Sequence, residues 1–128
     1  MTAYIAGTGF FVPSRIVTNE ELALSIDTSD EWIQTRTGIK SRHLVDPENP
    51  LSTVDMAEKA ALRALKQSNT NPEELDMIIV ATGTQDYRLP SAACMLQNRL
   101  GAIRACAFDV GAACAGSLHA LAIANQFI

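Results

Sequence analysis

At 128 residues with 48% hydrophobic content, the chain is long enough for one globular domain with a real core, and its composition does not point to disorder. A net charge of −4 with only ten lysines and arginines leaves no basic tail or stripe, which argues against nucleic acid and anionic membranes as partners. Cys94, Cys106 and Cys114 come without a CxxC pair or a histidine cluster, which argues against a disulfide framework and a metal site and makes free thiols in a reducing compartment the simplest reading.

The first apolar run lacks a basic region ahead of it, and Pro13 closes it well short of a membrane span, so a soluble cytoplasmic protein is expected. Residues 3–9, AYIAGTG, predict a short buried strand. Thr18 or Asn19 is placed to cap a helix through Ile26, with Glu20 and Glu21 favourable in its first turn. Asp27 and Thr28 open a second helical piece, DTSDEWIQTRTG, which Gly38 ends. Trp32 and Arg36 share a face of that piece. An indole beside a guanidinium suits a nucleotide, one stacking on a base and the other holding a phosphate. The same spacing also describes a Trp packed on the core with Arg36 laid over it, and spacing alone favours this second reading. His43 reads as a surface or packing residue.

Residues 46–53 form a turn-rich loop. Ser52 with Asp55 starts a helix that runs to about Ser68, with Met56, Ala60, Ala61, Ala64 and Leu65 as its apolar stripe. Asp55, Lys59, Arg63 and Lys66 lie on the opposite face, expected to be solvated. Asn71 and Pro72 begin one further turn, and residues 77–81, MIIVA, read as a central parallel strand. Thr82, Gly83 and Thr84 leave its carboxyl end, where open α/β sheets place ligands. A loop over residues 86–89 precedes a helix from Pro90-Ser91 through about Leu100, ended by Gly101, with Cys94 as a small core residue.

Residues 105–110 predict another strand, and the small residues Gly111, Ala112 and Ala113 lead into Cys114, where a helix begins. That helix is apolar nearly all round, which calls for cover on every side, from a second layer that these residues are not expected to provide. Cys114 thus stands where a strand stops and a buried helix starts, among unpaired N–H groups at the positive end of a dipole. Such a setting favours a reactive thiolate. Strands that are apolar throughout, alternating with helices, predict an α/β fold with a mostly parallel sheet flanked by helices.

Four stretches in order, IAGTGFFVP, DTSDEWIQTRTGIKSRH, LPSAACMLQNRLG and AFDVGAACAGS, resemble the 3-oxoacyl-acyl-carrier-protein synthase III enzymes of bacterial fatty acid synthesis, members of the thiolase-like superfamily. The resemblance spans essentially the whole chain and implies the N-terminal half of a layered thiolase-like α/β fold. It implies that Cys114 is the nucleophile, which takes an acyl group from acyl-CoA and passes it to the carbanion left when malonyl-acyl-carrier protein loses carbon dioxide. A thiolate at a helix start, with backbone N–H groups to hold an oxyanion, suits that mechanism. The resemblance further implies that Trp32 stacks on the adenine of coenzyme A with Arg36 near it and Thr28 as a further contact. It places Leu89 in the acyl pocket of the neighbouring subunit, at a position often Phe, and Ser117 where an aromatic is usual. A homodimer is implied, with residues 106–110 near its interface, and coenzyme A enters as a thioester substrate rather than a cofactor.

The family's catalytic His and Asn lie in a second, pseudo-repeated half. His119 does not replace that His, because five residues along a helix turn it about 140° from Cys114. Residues 1–128 are therefore expected to be a truncated N-terminal thiolase-like domain of a longer synthase, or one chain of a split or cleaved one, inactive in condensation alone. The alternatives are a related condensing or acyl-transfer enzyme of secondary metabolism, or a non-catalytic thiolase-like subunit, which would have no need of Cys114.

Overall fold

Two strand pairs of opposite sense organise the computed structural model, which describes residues 3–128. Each pair belongs to its own unit. Residues 12–51 form a hairpin unit, and Ser52–Ile128 with residues 3–11 form a sheet unit.

In the hairpin unit, β1 (Arg15–Thr18) pairs antiparallel with β2 (Ser41–Leu44), Arg15 opposite Leu44 and Thr18 opposite Ser41. Neither strand is predicted from the sequence: RIVT and SRHL are four residues each, and their pairing joins segments more than twenty residues apart. Between them lie α1 (Asn19–Ala23) and α2 (Asp30–Thr37). The Thr18 hydroxyl caps α1 by accepting the Glu21 N–H at 3.2 Å. That helix stops short of the expected Ile26, where Ser25 turns its hydroxyl onto the Leu22 carbonyl at 3.0 Å. Helix α2 starts later than Asp27 or Thr28, because Ser29 supplies the cap through the Trp32 N–H at 3.1 Å. Gly38 ends it at φ +71°, in the left-handed region where a side chain would be strained. Val17 and Ile33 are the buried apolar residues of this unit.

The sheet unit opens its long helix α3 (Thr53–Ser68) on a reciprocal cap, in which Ser52 Oγ accepts the Asp55 N–H and Asp55 Oδ2 accepts the Ser52 N–H. A single 3-10 turn (Pro72–Glu74) leads to β3 (Met77–Ala81). That strand pairs parallel with β4 (Cys106–Val110), Met77 opposite Cys106 and Ala81 opposite Val110. The crossover between them carries α4 (Ala92–Leu100), capped by the Ser91 hydroxyl and closed by Gly101 at φ +72°. Val54, Ile78, Ala92, Ala93 and Leu96 form the buried core between helices and strand. Alternation sends Met77, Ile79 and Phe108 the other way, toward a groove they share with Ala124 and Phe127. Both faces of the parallel pair are therefore apolar, as strands without polar alternation require.

One expectation is corrected. Residues 3–9 are not a strand: the segment lies extended along α3, Thr8 donates to Gln67 Oε1, and Gly7 and Gly9 lie so close to the helix that a Cβ at Gly9 would strike the Ala60 carbonyl. The basic face of α3 is solvated as expected, with Lys59, Arg63 and Lys66 exposed, and two of these side chains also meet the segment before it. Arg63 donates to the Phe10 carbonyl at 2.6 Å, its guanidinium lies 5.7 Å from the Phe10 ring centroid, and the Lys59 ammonium lies 4.5 Å from that of Phe11. The last helix, α5 (Gly116–Gln126), lacks the second layer its apolar surface calls for, as expected of these residues by themselves: the parallel pair meets one side only and leaves Leu118, Leu121 and the following Phe127 exposed. No helix among the described residues is long and apolar enough to cross a membrane.

Candidate active site

Cys114 is positioned by the chain that leaves β4. After Val110, Gly111 and Ala112 make the turn, and Ala113 takes φ +43°, a left-handed conformation uncommon for a residue with a Cβ. Ala113–Ala115 then form a 3-10 turn, with the Ala115 N–H donating to the Ala112 carbonyl at 3.0 Å, and α5 proper starts at Gly116. The helix thus begins two residues later than predicted, since a 3-10 turn at a helix start tightens the entry. Gly116 matters to this packing: a Cβ there would lie 3.3 Å from Ala81 Cβ, so its absence lets α5 start against the end of β3. The Cys114 side of the turn is exposed.

The other thiols differ in setting. Cys106 is exposed on β4, while Cys94 is half-buried in α4 with its Sγ 3.7 Å from the Ala107 carbonyl. His119 is exposed, and its Nδ1 lies 2.8 Å from the Ala115 carbonyl of its own helix. Leu89 sits on the loop after β3, with its side chain almost wholly in solvent. Thr53 Oγ1 donates to the Thr84 carbonyl of that loop at 2.7 Å. Leu89 and Cys114 therefore both follow the carboxyl ends of adjacent parallel strands, the edge at which open α/β sheets bind ligands.

Asp109 is the positioning residue that sequence reasoning passes over. Its carboxylate, on β4, accepts the Ala92 N–H at 2.9 Å and the Ala93 N–H at 2.7 Å, holding the first turn of α4 against the strand that leads to Cys114. The signal was a lone carboxylate in an otherwise apolar strand, which needs donors when partly buried. A second cross-element tie joins α4 to α3, where Arg99 reaches Asp55 Oδ1 at 2.5 Å and Glu58 Oε2 at 3.2 Å. Arg99 and the Ser52 bonds together hold the Asp55 carboxyl at about 2, well below the usual range, and the two carboxylates raise the Arg99 guanidinium.

In the hairpin unit, α2 presents Trp32 with 53% of its surface exposed, and the Arg36 guanidinium lies 4.5 Å from the indole centroid. The pair stacks as the four-residue spacing predicts, but the indole is not packed away in a core. Asp27, Thr28, Ser29 and Trp32 line one shallow pocket, and Ser29, Glu31, Thr35 and Arg36 with Trp32 line another. Thr28 Oγ1 is shut off from solvent without a hydrogen-bond partner among the described residues, a hydroxyl still able to donate and accept. Asn19 and then Gln34 bond the Asp30 carboxylate at the start of α2 and lower its pKa. No cluster of three His, Cys, Asp or Glu side chains suited to a metal ion occurs among the described residues.

No protein-family model matches the chain. It is 52% identical over 128 residues to a beta-ketoacyl-(acyl-carrier-protein) synthase III from Caldanaerobacter subterraneus subsp. tengcongensis, covering all of this chain and 38% of that protein. Among solved structures, the 3-oxoacyl-(acyl-carrier-protein) synthase III of Aquifex aeolicus superposes with a TM-score of 0.91 at 48% identity, over 96% of this chain and 39% of that one. A priming beta-ketosynthase from a polyketide biosynthetic pathway superposes with a TM-score of 0.90 at 39% identity, over 95% of this chain and 36% of its own. The chain thus spans 38% of the first relative's length, and its α/β architecture is the thiolase-like one of these synthases.

Proposed function

Since this chain belongs, over the stretch it spans, to the beta-ketoacyl-acyl-carrier-protein synthase III family, we propose that it carries the acyl-accepting cysteine of a condensing enzyme that initiates fatty acid synthesis. The observation that carries this reading is the setting of Cys114: an exposed thiol in a tight turn between a parallel strand and a helix start, inside the stretch of 52% identity. In the first step the Cys114 sulfur, as thiolate, attacks the thioester carbonyl of acyl-CoA. The tetrahedral oxyanion collapses, the carbon–sulfur bond to coenzyme A breaks, and coenzyme A leaves as a thiol after taking up a proton. Backbone N–H groups around the turn are the available oxyanion donors.

In the second step malonyl-acyl-carrier protein loses carbon dioxide, and the resulting carbanion attacks the acyl–Cys114 carbonyl. A 3-oxoacyl chain forms on the carrier protein and the Cys114 thiolate is released. The resemblance assigns this step to a His and an Asn beyond residues 1–128, so these residues act as an N-terminal thiolase-like domain that loads the acyl group. Trp32 takes the adenine of coenzyme A, Arg36 its phosphates, and Thr28 is a further contact as part of the shallow pocket it lines with Trp32. Leu89 helps set acyl-chain preference. The reading includes a cytoplasmic homodimer. Identity favours the fatty acid initiator over the polyketide relative, at 48% against 39%.

The test is a burst assay on the 128-residue chain with a short acyl-CoA, following free coenzyme A thiol. About one equivalent per chain is expected within the burst, and none from Cys114→Ala. A burst that survives the substitution refutes the nucleophile assignment.

A further inference from the structure

Asn19, the first residue of α1, is the one buried polar side chain among the described residues, with 0% of its surface exposed. Its carboxamide reaches three partners at once. Nδ2 donates to Asp30 Oδ1 at 2.8 Å and to the Ile39 carbonyl at 2.8 Å, while Oδ1 accepts from Arg42 Nη2 at 2.5 Å. Asp30 is the first residue of α2, and Ile39 follows the Gly38 that ends it. One amide group therefore fastens both ends of the eight-residue helix that carries Trp32 and Arg36. Arg42 anchors that amide to β2, and its Nη1 reaches the Val17 carbonyl on β1 at 3.3 Å. From within the helix, Gln34 Nε2 holds the two Asp30 oxygens at 2.7 and 2.6 Å.

Few side chains satisfy this arrangement. It needs two donors and one acceptor on a short stem, which asparagine supplies. Aspartate has the same shape but no donor, and it would set a second carboxylate against Asp30. Serine and threonine lack the second donor. In a fully buried position each lost partner leaves a polar group unpaired, so the helix ends would have to move to find water.

We propose that Asn19 is a positioning residue for nucleotide recognition: by pinning both ends of α2, it sets the angle at which the Trp32–Arg36 stack meets the adenine end of a coenzyme A thioester. This rests on the coenzyme reading given above for Trp32 and Arg36. Asn19 touches no ligand in this account and acts only through α2.

Trp32 is the only tryptophan in the chain, so its fluorescence reports on α2 directly. Coenzyme A is titrated into the full chain, and quenching of Trp32 gives Kd for the wild type, for Asn19→Asp, and for Asn19→Asp combined with Asp30→Asn, which exchanges donor and acceptor across the contact. Asn19→Asp is expected to raise Kd about tenfold in the folded protein, about 1.4 kcal/mol, with a shifted Trp32 emission in the absence of ligand. The exchanged pair is expected to recover at least half of that loss, which a merely structural role would not produce in the folded fraction. A Kd for Asn19→Asp within about twofold of wild type, or no recovery in the pair, overturns the inference. If Asn19→Asp does not fold, Asp30→Ala takes its place: an increase of about fivefold supports the inference, and a change within twofold overturns it. A wild-type chain that coenzyme A does not quench overturns the coenzyme reading itself and this inference with it.

Discussion

Replacing Asp109 by alanine should cost far more stability than its half-buried position suggests. The carboxylate accepts two backbone N–H groups, those of Ala92 at 2.9 Å and Ala93 at 2.7 Å. Those two residues are 3% and 0% exposed, so water does not replace the lost acceptor without opening the start of α4. Leaving a buried donor unpaired costs roughly 1–3 kcal/mol, and the removed negative charge also faced the positive end of α4. Allowing for partial relaxation, Asp109→Ala is expected to destabilise by about 2–4 kcal/mol. Asp109→Asn keeps one oxygen acceptor of the same shape and loses the other, for roughly 1–2 kcal/mol. For a chain of this size, 1 kcal/mol moves the midpoint by roughly 4 °C. Thermal unfolding followed by far-ultraviolet circular dichroism should therefore place Asp109→Ala lowest, Asp109→Asn between, and the wild type highest. If Asp109→Ala melts with the wild type, or if the asparagine variant is the less stable of the two, the carboxylate does not hold α4.

Three further substitutions probe separate parts of the structure. Asp55 has a folded pKa of about 2 against an ordinary 3.8, so its contribution is fully present above about pH 4 and is lost as pH falls toward 2. With Asp55 and Arg99 each about a third exposed, solvent screening reduces that contribution to the order of 1 kcal/mol; Arg99→Met should flatten the fall in urea midpoint over this range, and an unchanged slope would contradict the pairing. Gly9→Ala places a Cβ against the Ala60 carbonyl and 2.6 Å from the Ala64 nitrogen, and should cost about 1–3 kcal/mol or lift the first residues from α3. Limited proteolysis near Phe10 would then accelerate, whereas Gly83→Ala, with open space around its Cβ, should leave stability and cleavage unchanged.

What could be read from the sequence was what is locally encoded. Ser52 with Asp55, Ser91, Gly38 and Gly101 mark helix ends through bonds and dihedrals only a few residues long, and the structure places α2, α3 and α4 at those signals. The apolar runs of β3 and β4 were equally legible, because burial on both faces removes polar alternation. Failures came where a distant partner decides. Residues 3–9 have a strand's composition, yet two glycines let the backbone lie on α3, and composition does not distinguish those outcomes. β1 and β2 are too short and polar to signal themselves before they meet. Asp109 and Asn19 bond groups 11 to 20 or more residues along the chain, so their positioning roles emerge only from the fold. For the site, the motif around Cys114 was legible, but the delay of α5 behind a 3-10 turn was not, since alanine and glycine suit both conformations.

Cys114 is proposed as the acyl acceptor among three free cysteines, of which Cys106 is also exposed. The most direct measurement is peptide-mapped mass spectrometry of the chain after brief exposure to a short acyl-CoA at neutral pH. A single thioester-linked acyl group is expected on the peptide containing Cys114, removed by hydroxylamine, with Cys94 and Cys106 unmodified. An acyl group on Cys106, or equal labelling of both exposed thiols, would contradict it.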